Sequence, residues 1–213
     1  MRDEPDQPPE HYFSASPASA DERRPLRVHL DGRELELVTA PSVFSGHRLD
    51  LGTAVLLDLV GDPPADGDLL DLGCGWGPVA LTLAMRSPEP ATRRVWAVDV
   101  NERARDLTAA NAASLGLRGV RTAAPEEVDD EARFAAIWSN PPIRIGKPAL
   151  HALLLHWLPR LAPGGSAHLV VAKDLGADSL QRWIGEQGEQ HGWTAERSGS
   201  RKGFRVLEVR RSG

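Results

Sequence analysis

The sequence predicts an α/β fold, a mostly parallel sheet with helices on both faces. Three observations carry this. From Asp68 onward, short apolar runs alternate with helix-period segments, the pattern of strands buried on both sides. The first of these runs joins its helix through the glycine-rich stretch Gly73-Cys74-Gly75-Trp76-Gly77. A later run, Phe134-Ala135-Ala136-Ile137-Trp138-Ser139, stops in Asn140-Pro141-Pro142-Ile143. Two consecutive prolines donate no N–H and fix the chain direction. They leave one short amide at the carboxyl edge of the sheet, where open α/β folds bind ligands.

Taken in order, residues 1–25 are rich in Pro, Asp, Glu and Ser and read as a partly flexible arm with one apolar island, His11-Tyr12-Phe13. Residues 26–213 read as a single domain, with a hairpin and helix over 26–67 and the α/β core over 68–213. Residues 26–30 and 34–37 alternate in polarity around Asp31-Gly32, a strong hairpin signal. Ala54, Leu57, Leu59 and Val60 predict a helix ending at Gly61. Strands are expected at 69–72, 95–98, 120–123, 134–138 and 167–171. Helices are expected at 78–85, opened by Pro78, at 102–115, stopped by Gly116, at 147–161 and at 180–189. Residues 193–196 and 204–209 read as two final strands forming a hairpin.

Composition narrows the classes. Hydrophobic residues make up 41% and charged residues 26%, ordinary for a soluble globular chain. No apolar run is long enough to span a membrane, and the first residues lack the apolar core of a signal peptide. The single cysteine, Cys74, cannot form an internal disulfide, so a reducing cytoplasm is the expected setting. A net charge of −5 argues against a uniformly basic nucleic-acid binder but leaves room for a local basic patch. The histidines are scattered without metal-ligand spacing, so no metal is expected.

The glycine stretch gains meaning from its context. It follows a predicted strand, opens a predicted helix, and is answered by an acid, Asp99, after the next strand. That is what a nucleoside site requires, with the acid accepting from ribose hydroxyls. The spacing departs from the dinucleotide fingerprint, because Pro78 stands where the last glycine belongs. Asp71, just before the loop, would repel a pyrophosphate and suits an amino-bearing ligand. The pattern therefore favours S-adenosylmethionine over NAD.

Together with Leu161-Ala162-Pro163-Gly164-Gly165, these motifs resemble class I S-adenosylmethionine-dependent methyltransferases. More narrowly, the chain resembles the single-domain branch of the family that contains the small-subunit ribosomal RNA guanine-N2 methyltransferases. The resemblance runs over about residues 11–207 and includes Val43-Phe44-Ser45, Gly52-Thr53 and Gly203-Phe204-Arg205-Val206-Leu207. It implies a Rossmann-like, mostly parallel seven-stranded sheet with an antiparallel last strand and an N-terminal hairpin extension. It implies cofactor contacts from Asp71, Gly73, Cys74, Gly75, Gly77, Asp99 and Val100, with Ala124, Asn140 and Thr53 completing the site. Relatives often carry an adenine-binding acid after the third strand; here the chain reads Ala123-Ala124-Pro125-Glu126, and either Glu126 or a backbone group fills that place.

The chemistry assigned to Asn140, Pro141, Pro142 and Ile143 is methylation of an exocyclic amine. The Asn140 amide oxygen and the Pro141 carbonyl can both accept from one planar –NH2 and orient its lone pair. Ile143 stands where relatives often carry an aromatic residue and packs on a flat base. Phe44, Arg144, Lys147 and Phe204 are substrate-binding candidates, with Arg201, Lys202 and Arg205 extending a basic rim for RNA phosphates. Guanine N2 of ribosomal RNA is the leading substrate. A protein glutamine, a small-molecule amine, and a non-catalytic S-adenosylmethionine-binding role stay open as alternatives.

Overall fold

A computed structural model of the chain describes residues 23–213. Most of the expected arm, including His11-Tyr12-Phe13, lies outside the described residues. The described residues open with a hairpin of β1 (Arg24–Leu30) and β2 (Arg33–Thr39), paired antiparallel with Leu30 opposite Arg33. The helix α1 (Leu51–Leu59) follows, then β3 (Asp68–Leu72), α2 (Pro78–Met85), β4 (Val95–Val98), α3 (Glu102–Ser114) and β5 (Val120–Ala123). The second half contains β6 (Phe134–Ser139), α4 (Lys147–Trp157), β7 (Leu161–Ala172), α5 (Ala177–His191), β8 (Trp193–Arg201) and β9 (Phe204–Arg211).

The seven-stranded sheet has the order β5-β4-β3-β6-β7-β9-β8. Pairing is parallel from β5 through β7, while β9 runs antiparallel to both β7 and β8. The chain order reverses between β3 and β6, which opens a crevice at the carboxyl ends of those strands. Each sheet face buries its own core. One holds the hairpin, α1, α2 and α3 over Leu69, Val95, Ala97 and Trp138; the other holds α4 and α5 over Leu70, Val98, Ile137 and Leu169. Every residue of α2 is buried, because the sheet covers one side and α1 and α3 pack beside it within the same core.

Polar ties make the hairpin part of the body. Asn111 on α3 accepts from the Val38 N–H at 2.8 Å and donates to the carbonyls of Val38 and Trp76, both at 2.9 Å. Arg86, at the end of α2, donates to Asp31 in the hairpin turn and to the carbonyls of Val60 and Leu57, each at 2.8 Å.

Two boundary differences from the sequence expectation meet at Leu161, and α5, β8 and β9 also run longer than expected. The α-helix predicted to reach Leu161 stops at Trp157, since Pro159 lacks an N–H and only a 3-10 turn, Leu158–Arg160, continues. Leu161 instead opens β7, which is longer than expected and bulges through Pro163-Gly164-Gly165. A β-carbon at Gly165 would sit 2.9 Å from the Ala162 carbonyl oxygen and 3.0 Å from those of Ala135 and Phe134, so glycine is required there.

Candidate active site

The glycine loop takes its shape from three left-handed residues, Gly73 (φ 82°), Gly75 (φ 57°) and Gly77 (φ 99°), a conformation costly for any residue with a β-carbon. The N–H groups of Gly73 and Cys74 bond the Val98 carbonyl at 2.8 and 3.1 Å, which ties the loop to the end of β4. Asp99 follows directly. Its carboxylate accepts from the Gly75 N–H at 3.0 Å through one oxygen and from the Asn101 N–H at 2.9 Å through the other. Burial raises its pKa above the ordinary carboxylate value, and these N–H donors and Arg105 pull the other way. Both oxygens keep free lone pairs.

Asp71 behaves differently. Strand alternation turns it toward α2, where its carboxylate accepts from the Ala80 N–H at 2.9 Å. It is 1% exposed, and burial pushes its pKa up to about 8. Cys74 is buried as well, with its sulfur accepting from the Thr108 hydroxyl at 3.5 Å, and burial raises its thiol pKa. A sulfur held protonated in the interior offers no nucleophile.

The opposite wall is built from side chains. Asp50 caps α1, accepting from the Thr53 N–H at 3.0 Å. The same carboxylate oxygen accepts from the Asn140 side-chain nitrogen at 2.8 Å, and the Thr53 hydroxyl oxygen accepts from that nitrogen at 3.0 Å. A carboxylate only accepts, so it fixes which end of the amide faces α1. The amide nitrogen is committed, and the Asn140 oxygen is left for the cavity. At Pro142 the backbone (φ −74°, ψ 74°) makes an inverse γ-turn, closed by the Ile143 N–H donating to the Pro141 carbonyl at 2.8 Å. That carbonyl retains its second lone pair.

Between these walls lies a cavity of about 1010 Å³. Of the residues singled out for the cofactor, Gly73, Gly75, Asp99, Val100 and Asn140 line it. Of those singled out for chemistry or substrate, Pro141, Pro142, Ile143, Phe44, Arg144 and Phe204 do. Asp71, Cys74, Gly77, Thr53, Ala124 and Lys147 are not on the wall. Gly77 instead seats the loop, since a β-carbon there would lie 3.0 Å from Thr108. Thr53 acts one step back, through Asn140. After β5 the wall is supplied by Pro125, with Glu126 exposed and Glu127 turned back to the Ala124 N–H at 2.7 Å. Of the expected basic rim, Arg144 and Lys202 line the cavity, while Arg201 pairs with Asp58 at 2.9 Å and Arg205 pairs with Asp178.

Asp50, which no motif marks, is central to the Asn140 wall. Its one signal, an acid just before an apolar helical run, reads only as a cap. Lys173, Asp174 and Leu175 also join the wall unannounced. A second cavity, of about 460 Å³, lies under the loop after α1 against His168 and Glu208 and shares no wall residue with the first. Among the described residues there is no group of three side chains able to hold a metal, and no helix is long and apolar enough to cross a membrane.

The methyltransferase small domain family matches residues 34–207 of this chain. The uncharacterized protein YbxB of Bacillus subtilis is 34% identical over 173 residues, covering 80% of this chain and 85% of its own. The ribosomal RNA small subunit methyltransferase C of Pseudomonas aeruginosa is 36% identical over 184 residues, covering 84% of this chain. The match spans only 52% of that relative's length. Among solved structures, a T. thermophilus 16S rRNA N2 methyltransferase, RsmC, in complex with AdoMet and guanosine, superposes with a TM-score of 0.72 at 22% identity, over 89% of this chain and 50% of the other. At that identity the likeness is one of fold. A methyltransferase from Pyrococcus furiosus gives a TM-score of 0.58 at 20% identity over 75% of this chain and 81% of its own.

Proposed function

The chain belongs to the methyltransferase small domain family, and on that premise we propose that it is an S-adenosylmethionine-dependent N-methyltransferase whose substrate is guanine N2 of ribosomal RNA. The observation that carries this reading is the fixed Asn140 amide. Asp50 and Thr53 hold its nitrogen, so its oxygen is aimed at the cavity before any substrate arrives.

The residues fit the cofactor. Asp99, held by two backbone N–H groups, presents acceptors for a pair of ribose hydroxyls, and the Gly73–Gly75 turn leaves no side chain in the way. Ligand pockets usually enclose roughly 300–1,000 Å³. At about 1010 Å³ this cavity has room for a nucleoside-type cofactor and a planar base together. When bound, the cofactor supplies an electrophilic methyl group on a sulfonium.

The chain's own groups do the rest by position and charge. The Asn140 oxygen and the free lone pair of the Pro141 carbonyl each accept one N–H of the guanine 2-amino group. That fixes the direction of the nitrogen lone pair, and positioning is the main source of rate. The same acceptors stabilise positive charge as it develops on nitrogen. No side chain is needed as a strong base, because the amine becomes acidic as it is alkylated. Phe44, Phe204 and Ile143 give the base apolar walls, and stacking on an aromatic face contributes about 1–3 kcal/mol. The ribosomal RNA relatives and the guanosine-bound neighbour support this choice of amine.

The test uses purified protein, methyl-labelled S-adenosylmethionine, small ribosomal subunits and the naked RNA extracted from them. Label recovered as N2-methylguanosine is the expected result. Label recovered only in ribosomal protein would transfer the reading to an amide substrate.

A further inference from the structure

The described chain contains two hairpin turns of one conformation and unlike sequence. Asp31-Gly32 joins β1 to β2 with φ of 51° and 71°, and Lys202-Gly203 joins β8 to β9 with φ of 50° and 81°. Both are two-residue turns with positive φ at both centres, as in type I′. The first position of such a turn favours Asn, Asp or Gly, whose short polar side chains or missing β-carbon tolerate left-handed backbone. The first turn obeys this. The second places a long, unsupported lysine there.

What differs is the surroundings. Asp31 is turned to the body and held by Arg86. Lys202 is exposed at the mouth of the large cavity, beside Gly203 and Phe204 of its wall. The Lys173 N–H donates to the Gly203 carbonyl at 2.8 Å, so a second wall lysine is seated against the same turn. Arg201 and Arg205 on either side are taken up by Asp58 and Asp178. Among the described residues, neither Lys202 nor Lys173 has an acidic partner within salt-bridge reach. Asp174 is the carboxylate nearest in sequence on this wall, while Asp50 and Asp99 are engaged by backbone and amide donors.

We propose that Lys202, with Lys173 beside it, binds a backbone phosphate flanking the target nucleotide and so sets how the RNA enters the cavity. This rests on the RNA reading above. A strained, unpaired cation at a site's mouth is explained by a ligand contact, and a phosphate suits a compact, mobile ammonium. Phosphate contacts set register and leave the base to be read inside the cavity.

The test is Lys202→Asn, which removes the charge and installs a residue the turn prefers. The melting temperature should be equal or higher. KM for RNA should rise about five- to tenfold with kcat retained, and the slope of log affinity against log salt should shrink by about 0.7–0.9, the signature of one lost phosphate contact. Cofactor affinity should not change. Unchanged KM and unchanged salt slope in an active enzyme would overturn the proposal while leaving the RNA reading intact. A wild-type protein that labels no RNA would overturn both.

Discussion

The two walls of the cavity are built by different means. On the cofactor side, backbone N–H groups from adjacent strand ends hold the one decisive side chain, Asp99. Gly73 and Gly75 fold a turn, and the turn's own N–H group grips Asp99 from the adjacent strand. On the substrate side, the decisive contact joins Asp50 to Asn140, ninety positions apart, through side chains alone. Backbone-built geometry is set by which residue types follow one another. Side-chain geometry is set by packing two distant elements together. The first wall should therefore survive many substitutions that keep its glycines, while the second hangs on two or three atoms.

The sharpest way to break the comparison is at Asn140. Asn140→Ala removes an acceptor that is engaged most strongly in the transition state, so kcat should fall about 10²–10³-fold, the range seen when one preorganised hydrogen-bonding group is lost. Cofactor affinity should move little. Asp50→Ser keeps a helix cap on α1 but removes the carboxylate that orients the amide. It should lose part of the same factor, about tenfold, with an unchanged melting temperature. Because Asp50 acts through Asn140, the double variant should be no worse than Asn140→Ala alone. Additive losses in steady-state kinetics would separate the two residues and dissolve the proposed wall.

The corresponding change on the other side is Asp99→Ala. It removes a charged acceptor for the ribose and also strands the N–H groups of Gly75 and Asn101. Charge-assisted hydrogen bonds contribute about 1.5–3 kcal/mol, so the Kd for the cofactor should rise about 10–100-fold, measured by calorimetry. At saturating cofactor, kcat should be largely recovered. A loss of kcat that saturation does not repair would place Asp99 in the chemistry and erase the division between the walls.

This division also explains what could be read in the sequence. The sheet, its strand–helix alternation and the hairpins follow from local periodicity and turn residues, and Pro78 and Gly116 mark helix ends where the structure has them. Gly73, Gly75, Asp99 and Asn140 were legible because motif spacing along the chain reports backbone geometry. Asp50 was not, since nothing in residues 50–53 names a partner at 140. Which cations of the basic rim are engaged was hidden for a related reason. Charge is visible in sequence, but the ion pairs that consume it depend on which acids fold nearby, here Asp58 and Asp178. The spacing of Leu161 fits a helix, but Pro159 overrides the period.

Asp71 and Asp99 supply the finest distinction, since both lie near the carboxyl ends of neighbouring strands and both read as acids of the cofactor site. Asp71 lies in the interior, and its pKa is raised from 3.8 to about 8 by burial, with the Ala80 N–H opposing and the charge of Asp99 adding to the rise. A raised carboxylate pKa means that the folded state holds a proton that the unfolded state has released between about pH 4 and 8. Stability must therefore fall as pH rises through that window, by up to about 1.4 kcal/mol per pH unit for this one group. Below pH 4 both states are protonated and the contribution is flat. Asp71→Asn keeps an acceptor for the Ala80 N–H but cannot ionise. Urea unfolding at pH 5, 6, 7 and 8 should show the wild type losing stability relative to the variant at each step. Titrating groups remote from Asp71, such as His168, are shared by both proteins and cancel in the difference, which leaves Asp71 and its coupling to Asp99. A difference that stays constant with pH would mean that Asp71 is ionised in the fold throughout. It would then be a charged neighbour of the glycine loop after all, free to attract an amino group from within the floor of the site.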